Sequence, residues 1–383
     1  MKPLTSRQRV LRALEHREPD KVPFDLGATV VTGIHTIAHK NLLSFWGIKE
    51  DQSIIVDKVQ QLAGPSESLL RRLHVDARGV FVQGPQDKIQ QTTKNGDKCL
   101  VNDFGIMLRM SKGSLCYDDI VAPLVGEIDK EDINRHGWPD PRDPHLVQGI
   151  RNKARNFQKQ GYFTVLGNNI CGGFFTFAAR MRGFSDFFTD LAGYPQRACW
   201  IMDRLIDIKI QFYETLFEAI DDEIDAVIEA DDFGTQRGPF ISRAMYKRYI
   251  KPRQNKLFSF IKKHFSGYLI LHSCGSVGEF IPDFIEVGVD ILNPIQVSAV
   301  GMDTKRLKKE FGEDIVFWGG GIDTQYVLPK GTPMEVQDEV KKRVEELAPG
   351  GGFIFAPVHN IQADVPPINV EAMWLALQDY GRY

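Results

Sequence analysis

The segment Leu269-Ile270-Leu271-His272-Ser273-Cys274-Gly275 carries the residue types best suited to chemistry in this chain. It reads as a buried strand running out into a turn. In an extended segment residues i and i+2 point to the same side, so His272 and Cys274 face one way. A neutral imidazole and a thiolate are good zinc ligands, and a catalytic zinc site takes about three protein ligands and an open position. The spacing alone equally describes a core histidine beside a buried thiol.

A third ligand must come from elsewhere. No cysteine follows Cys274, and the next comparable strand end offers His359, in Phe355-Ala356-Pro357-Val358-His359-Asn360. His35 and His39 lie at i and i+4, would share a helix face, and form a second candidate pair. Nothing around them suggests a site, and they read as structural or substrate-lining. His74, His136, His145 and His264 stand in polar or charged surroundings and read as surface residues. Asp231 and Asp232 follow an apolar run and are candidate catalytic carboxylates; the plainer alternative is helix capping ahead of Gly234.

The elements that must position these groups follow a regular rhythm. From residue 160 onward, short apolar runs at 162–166, 226–229, 268–271, 290–292, 315–318 and 353–355 alternate with amphipathic stretches. One such stretch, 334–347, places Val336, Val340, Val344 and Leu347 at helical spacing. Strand–helix alternation predicts a parallel sheet. An opening helix starts at a Thr5–Gln8 capping box and carries Val10, Leu11 and Leu14; a first strand opens at 22–25. No Gly-x-Gly-x-x-Gly turn follows that strand, which lowers a dinucleotide-binding open sheet.

Nearly every run ends in polar or small residues: Asn168-Asn169, Asp231-Asp232, His272-Ser273-Cys274, Asn293 to Gln296, Gly319 to Asp323 and His359 to Gln362. In a (β/α)8 barrel the C-terminal strand ends converge on one face, where active sites sit. The expectation is therefore a single α/β domain over 1–383, a (β/α)8 TIM barrel with an elaborated N-terminal region. Segment 84–145, whose prolines at 139, 141 and 144 exclude regular helix or central strand there, reads as an elaborated connection over the barrel mouth. A small separate subdomain is the alternative.

With 383 residues the chain can bury a large core. A net charge of -3 with no basic stripe argues against a nucleic-acid partner. No apolar run has membrane-spanning length, and no signal-type segment opens the chain. Five scattered cysteines, an odd number, point away from a disulfide framework and toward a reducing cytoplasm. The oligomeric state stays open, with a homo-oligomer among the possibilities.

At this point the sequence resembles a known family, the uroporphyrinogen decarboxylase superfamily, in the branch of corrinoid-dependent methyltransferases and O-demethylase methyltransferase components. The carrying segments are Arg7 to Leu14 with Pro19 to Pro23, Asp231 to Gln236, His272 to Gly275, Asn293 to Gln296, Trp318 to Gln325, and His359 to Gln362 through Pro366 to Val370. They span nearly the whole chain, in order. The porphyrinogen decarboxylases themselves carry an N-terminal Arg-Gln-Ala-Gly-Arg segment for substrate carboxylates. Phe24-Asp25-Leu26-Gly27-Ala28 stands in that place here, which argues against haem biosynthesis.

The resemblance implies a zinc site of the pattern His-x-Cys followed by a cysteine on the last strand. His272 and Cys274 match the first two positions. His359 replaces the last cysteine, so the expected ligands of Zn(II) are His272, Cys274 and His359. One thiolate in place of two leaves the site with a formal charge of about +1, a harder Lewis acid that suits an oxygen leaving group over a thiol. The implied reaction moves a methyl group from an oxygen-methyl donor, an aromatic ether in the expected case, to Co(I) of a cobalamin carried by a partner corrinoid protein. No Asp-x-His-x-x-Gly corrinoid motif occurs in this chain. Asp231 or Asp232 would stabilise the departing oxygen. Asn169, Asn293, Gln296, Trp318, Asn360 and Gln362 would contact the donor. Phe174, Phe175 and Phe177 would line the pocket or pack the core, and Arg180 and Arg182 would hold a carboxylate or form a solvated helix face. Two rivals stand beside this reading: a metal-free carboxy-lyase with His272 as general acid, and a non-catalytic ligand- or partner-binding barrel.

Overall fold

A computed structural model describes residues 4–49, 54–83, 88–93 and 95–383. Seven parallel strands form one sheet in chain order: β1 (Ala77–Val80), β2 (Phe163–Leu166), β3 (Ala226–Ala230), β4 (Tyr268–His272), β5 (Ile291–Asn293), β6 (Val316–Trp318) and β7 (Phe353–Ile354). The extended segment 22–25 closes it as an eighth stave. Phe24 pairs in parallel with Phe355, and the Asp25 N–H donates to the Phe355 carbonyl at 2.9 Å. On the other edge the Asp76 N–H donates to the Phe24 carbonyl at 2.8 Å. The result is the expected TIM barrel.

Strand alternation sorts the side chains. Phe163, Val165, Ile228, Ile270, Ile291, Val316, Trp318 and Ile354 fill the barrel interior. Val227, Leu269, Leu271, Leu292, Phe317 and Phe353 face the surrounding helices. Helix α1 (Ser6–Leu14) begins at the expected Thr5–Gln8 capping box and sends Val10 and Leu14 into the interior cluster, plugging the N-terminal end of the barrel. The amphipathic stretch foreseen at 334–347 is α5 in the set α2 (Phe174–Arg182), α3 (Pro195–Ala219), α4 (Lys251–His264), α5 (Pro333–Leu347) and α6 (Pro367–Tyr380). Its four predicted apolar positions are all buried. Among the described residues no helix is long and apolar enough to cross a membrane.

Between β1 and β2 the chain makes its long excursion. It holds a four-stranded antiparallel sheet of Lys88–Thr92, Lys98–Val101, Met107–Met110 and Asp118–Val121. The proline-rich stretch beyond it is irregular, as its composition requires, and ends in a 3-10 turn at Pro144–Val147. The first four positions of the expected 84–145 connection lie outside the described residues. Asn102, Tyr117, Asp118 and Asp119 from this excursion share a cavity with Asn168 to Gly172 after β2 and with Ile228 and Ala230 of β3. The excursion therefore stands beside the C-terminal ends of β2 and β3, with the cavity between them. Strand β1 carries no continuous apolar run, since Arg78 sits within it.

Candidate metal centre

The site assembles at the C-terminal end of β4. His272 keeps the inward parity of Ile270 and sits level with Ala230 on one side and Asn293 on the other. Cys274, two residues on, faces the same way, and its Sγ lies 3.3 Å from His272 Nε2. Between them Ser273 turns outward, where its hydroxyl accepts the Phe233 N–H. The chain can turn here because residue 275 is glycine. Its φ is +86°, and a Cβ there would meet the Gly234 backbone at 2.2 Å. This close crossing brings Asp232 to the site. Its Oδ1 accepts the Cys274 N–H at 2.8 Å and stands 3.7 Å from His272 Nε2.

His359 arrives from the loop after β7. One donor atom from each of His272, Cys274 and His359 lies within 4.8 Å of the others. Their imidazole rings meet edge-on, with centroids 5.6 Å apart. Zn–N and Zn–S bonds of about 2.1 and 2.3 Å in tetrahedral array put the donor atoms roughly 3.6 Å apart, so the 3.3 Å between Sγ and Nε2 is a spacing that one ion accommodates. The electrostatics agree. Burial, reinforced by His272, pushes the His359 imidazole down to about 4, so it is neutral at pH 7 with a lone pair to give. Burial, reinforced by the Asp232 carboxylate, holds the Cys274 thiol well above its ordinary range. A cation between the donors reverses that preference, because it stabilises the thiolate directly. The residues present therefore fit a zinc ion.

The two carboxylates divide. Asp232 faces the donors and is half exposed at its side chain. Asp231 is buried and turned toward α2, where it accepts the Phe175 N–H at 3.0 Å, the Thr176 N–H at 2.8 Å and the Thr176 hydroxyl at 3.0 Å. It caps that helix from another strand. Burial raises its carboxyl to about 7, against the pull of those hydrogen bonds. Gly173 makes the docking possible, since a Cβ there would fall 1.6 Å from the Ala230 carbonyl oxygen.

The remaining candidate residues are placed as follows. Asn293 binds His272 Nδ1 at 2.6 Å through Oδ1 and donates to the Trp318 carbonyl at 2.7 Å. Gln296 accepts the Gly275 N–H at 2.6 Å and so holds the turn after Cys274. Trp318 is buried inside the barrel, its indole N–H donating to Asp25 at 2.9 Å. Asn169 accepts the Cys171 and Gly172 amides and the Lys209 ammonium, shaping the loop after β2. Asn360 ties the Gly33 amide and the Val30 carbonyl to the last strand end. Gln362 is exposed.

Of the aromatic candidates, Phe174 and Phe175 pack in the core, while Phe177 lines the cavity beside the site. Arg180 also lines it, with its guanidinium on both oxygens of Asp119 at 2.6 and 2.9 Å. Arg182 is not on a solvated face. It is 3% exposed and binds Asp190 and the Leu124 and Gly126 carbonyls. His35 caps the helix Thr36–Phe45 through Nδ1 and meets the Leu115 carbonyl through Nε2. The cavity measures about 760 Å³. Its wall reaches Ala230, the strand neighbour of His272, and the three donors are not among its described lining residues.

Sequence reasoning passed over two groups. Asp25 is fully buried in the barrel, and burial raises its carboxyl to about 6. Its signal was a lone acid at the end of a short apolar stave. Lys209 and Glu229 pair at 3.0 Å, both buried, with Tyr213 donating to the same carboxylate at 2.7 Å. The one signal was Glu229 inside the otherwise apolar strand Ala226–Ala230; Lys209 is one of several charges on its helix and does not stand out in the sequence.

A parallel barrel with titratable donors gathered at its C-terminal mouth defines an enzyme-type TIM barrel. The chain belongs to the uroporphyrinogen decarboxylase (URO-D) family, which matches residues 103–380. Among solved structures it is similar to a methyltransferase from Methanosarcina mazei, at a TM-score of 0.64 and 18% identity, over 98% of this chain and 99% of that one. A GH113 β-1,4-mannanase aligns over 94% of this chain and 99% of that one at a TM-score of only 0.40 and 10% identity, too little to bear on fold or function. No curated protein matches the sequence.

Proposed function

We propose that this protein is a zinc-dependent methyltransferase that takes a methyl group from an oxygen-methyl donor, an aromatic methyl ether in the preferred case, and delivers it to Co(I) of a cobalamin held by a partner corrinoid protein. The observation that carries the reading is the convergence of His272, Cys274 and His359 within 4.8 Å at the barrel mouth. The shared fold of the Methanosarcina mazei methyltransferase is consistent with it. In the reaction the methyl C–O bond breaks, the Co(I) electron pair forms the new bond to carbon, and the departing oxygen keeps its own pair and takes a proton. Zn(II), when bound, supplies Lewis acidity toward that oxygen.

The residues of the chain do the rest. His359, neutral at pH 7, and His272 supply uncharged donors; Cys274 supplies the one anionic donor, which keeps the centre net positive. Asp232 is the carboxylate placed to orient the donor or pass a proton to the departing oxygen. Asp231, in this reading, shapes the site through α2. The cavity has the size of a small-molecule site. Asn169 lines it and Asn360 holds the lining residue Gln60; Gln296 and Trp318 hold the turn after Cys274 and the barrel interior, and the exposed Gln362 is the amide assigned to the donor. Decarboxylation of a porphyrinogen is disfavoured by the same cavity. Arg180 is the arginine among its described lining residues, and Asp119 already occupies it.

Metal analysis of protein purified without chelator tests the proposal. About one zinc per chain, lost in both His272→Ala and His359→Ala, is the expected result. Absence of metal from folded wild-type protein overturns it. A His359→Cys variant that keeps the same preference between oxygen and sulfur substrates would remove the argument for an oxygen donor.

A further inference from the structure

An amide side chain reads the same at both ends until its partners are known, and for Asn293 they are. One end lies 2.7 Å from the backbone carbonyl of Trp318 and the other 2.6 Å from Nδ1 of His272. A carbonyl only accepts, so the Trp318 end must be the NH2 group. The end facing His272 is then the oxygen, which also only accepts. The His272 Nδ1 must therefore carry a hydrogen. Both partners are fixed by the fold: Asn293 is 1% exposed on β5, and the carbonyl belongs to the backbone at the end of β6. The His272 side chain is 4% exposed, which leaves little room for water to offer Nδ1 another partner.

From this we infer that Asn293 is a positioning residue that keeps a hydrogen on His272 Nδ1, so that in the neutral ring the lone pair resides on Nε2, the nitrogen 3.3 Å from Cys274 Sγ. The inference rests on the proposed metal reading for its purpose, since a second hydrogen-bonded nitrogen orients the ring and raises the basicity of the ligating one. It does not rest on it for its truth, because the tautomer is a property of the protein before any ion arrives. It also gives Asn293 a role distinct from contact with the methyl donor.

The test has two readouts on the full chain. Nitrogen NMR of 15N-histidine-labelled protein, without zinc and at the basic end of a pH series where the ring is neutral, identifies the His272 signals by their loss in His272→Gln. They are expected to show a protonated Nδ1 and an unprotonated Nε2. In Asn293→Ala the ring is expected to populate both tautomers. In Asn293→Asp, which keeps an acceptor but loses the donor to Trp318, a single Nδ1–H form is expected to persist. Zinc affinity, measured by competition with a chromophoric chelator, is expected to fall about ten- to a hundredfold in Asn293→Ala and to recover in Asn293→Asp.

An Nε2–H tautomer in the wild type overturns the assignment, as does a fixed Nδ1–H tautomer in Asn293→Ala. If the alanine variant does not fold, a shift to Nε2–H in the aspartate variant overturns it equally. Wild-type protein with the Nδ1–H form but no zinc binding retires the metal proposal and leaves the positioning role standing.

Discussion

Asp231 and Asp232 are consecutive residues whose carboxylates serve opposite sides of one strand end. Asp231 accepts two amides and a hydroxyl at the start of α2, whereas Asp232 accepts the Cys274 amide and stands 3.7 Å from His272 Nε2. Their substitutions should separate accordingly. Asp231→Ala leaves buried helix-end amides unpaired and is expected to cost about 2–4 kcal/mol of stability. Asp232→Ala, which frees the one part-buried Cys274 amide, is expected to cost distinctly less, about 0.5–1.5 kcal/mol, while lowering methyl transfer. Urea denaturation of both variants decides the matter; equal losses would contradict the division.

Asp25 makes stability depend on pH. Its carboxyl is raised from 3.8 to about 6 in the folded protein, mainly by burial. The folded state thus binds this proton more tightly than the unfolded chain. The resulting stabilisation is fully present below about pH 4 and is lost as pH rises through about 6, a change of roughly 3 kcal/mol at most. Wild type is expected to lose stability relative to Asp25→Asn across that window. A constant difference between the two from pH 4 to pH 8 would sink the prediction.

The ion pair of Lys209 and Glu229 is closed off from water, with side-chain exposures of 0% and 2%. Removing one partner strands the other charge in the core. Lys209→Met is expected to cost about 3–5 kcal/mol, and Lys209→Met with Glu229→Gln distinctly less, because the second change removes the stranded charge. Equilibrium unfolding of the single and double variants measures the difference. A double variant as unstable as the sum of its parts would rule out the pairing as the cause.

Gly173→Ala should be among the most damaging small substitutions. The added methyl would meet a backbone oxygen at 1.6 Å and an Asp231 oxygen at 2.1 Å, so α2 must move away from β3. A loss above about 3 kcal/mol, or insoluble protein, is expected. Expression and thermal melting of the variant at near-native values would show that the helix can shift without cost.

The barrel was legible where its strands were apolar. The runs near 163, 226, 268, 291, 316 and 353 announced themselves because their outward side chains face helices and their inward ones face each other. β1 did not, because Asp76 precedes it and Arg78 sits within it. The fold buries Arg78 to 1% exposure by pairing it with Glu67 at 2.9 Å, a compensation set by a helix that local pattern cannot reveal. The antiparallel sheet of the excursion escaped for another reason. Its last strand, Asp118–Val121, is exposed at every position and carries no inside–outside alternation. At the site, residue types at strand ends picked out His272, Cys274 and His359. They could not say that Asp231 is turned to the start of α2 and not to His272, or that Asn169 and Asn360 are occupied by loop amides, because those facts depend on which backbone groups lie opposite.

The eighth stave has one more implication, and it concerns the order of synthesis. Segment 22–25 is made well before one of its two neighbours, which ends near residue 355, and its buried carboxylate meets an indole 293 positions further along. A nascent chain therefore exposes an open sheet edge until the segment around residues 353–361 emerges. Those same residues bring His359. The closing of the barrel and the completion of the donor set are thus one late, long-range event, and a chain cut short before it carries an unsealed seam and an unfinished centre.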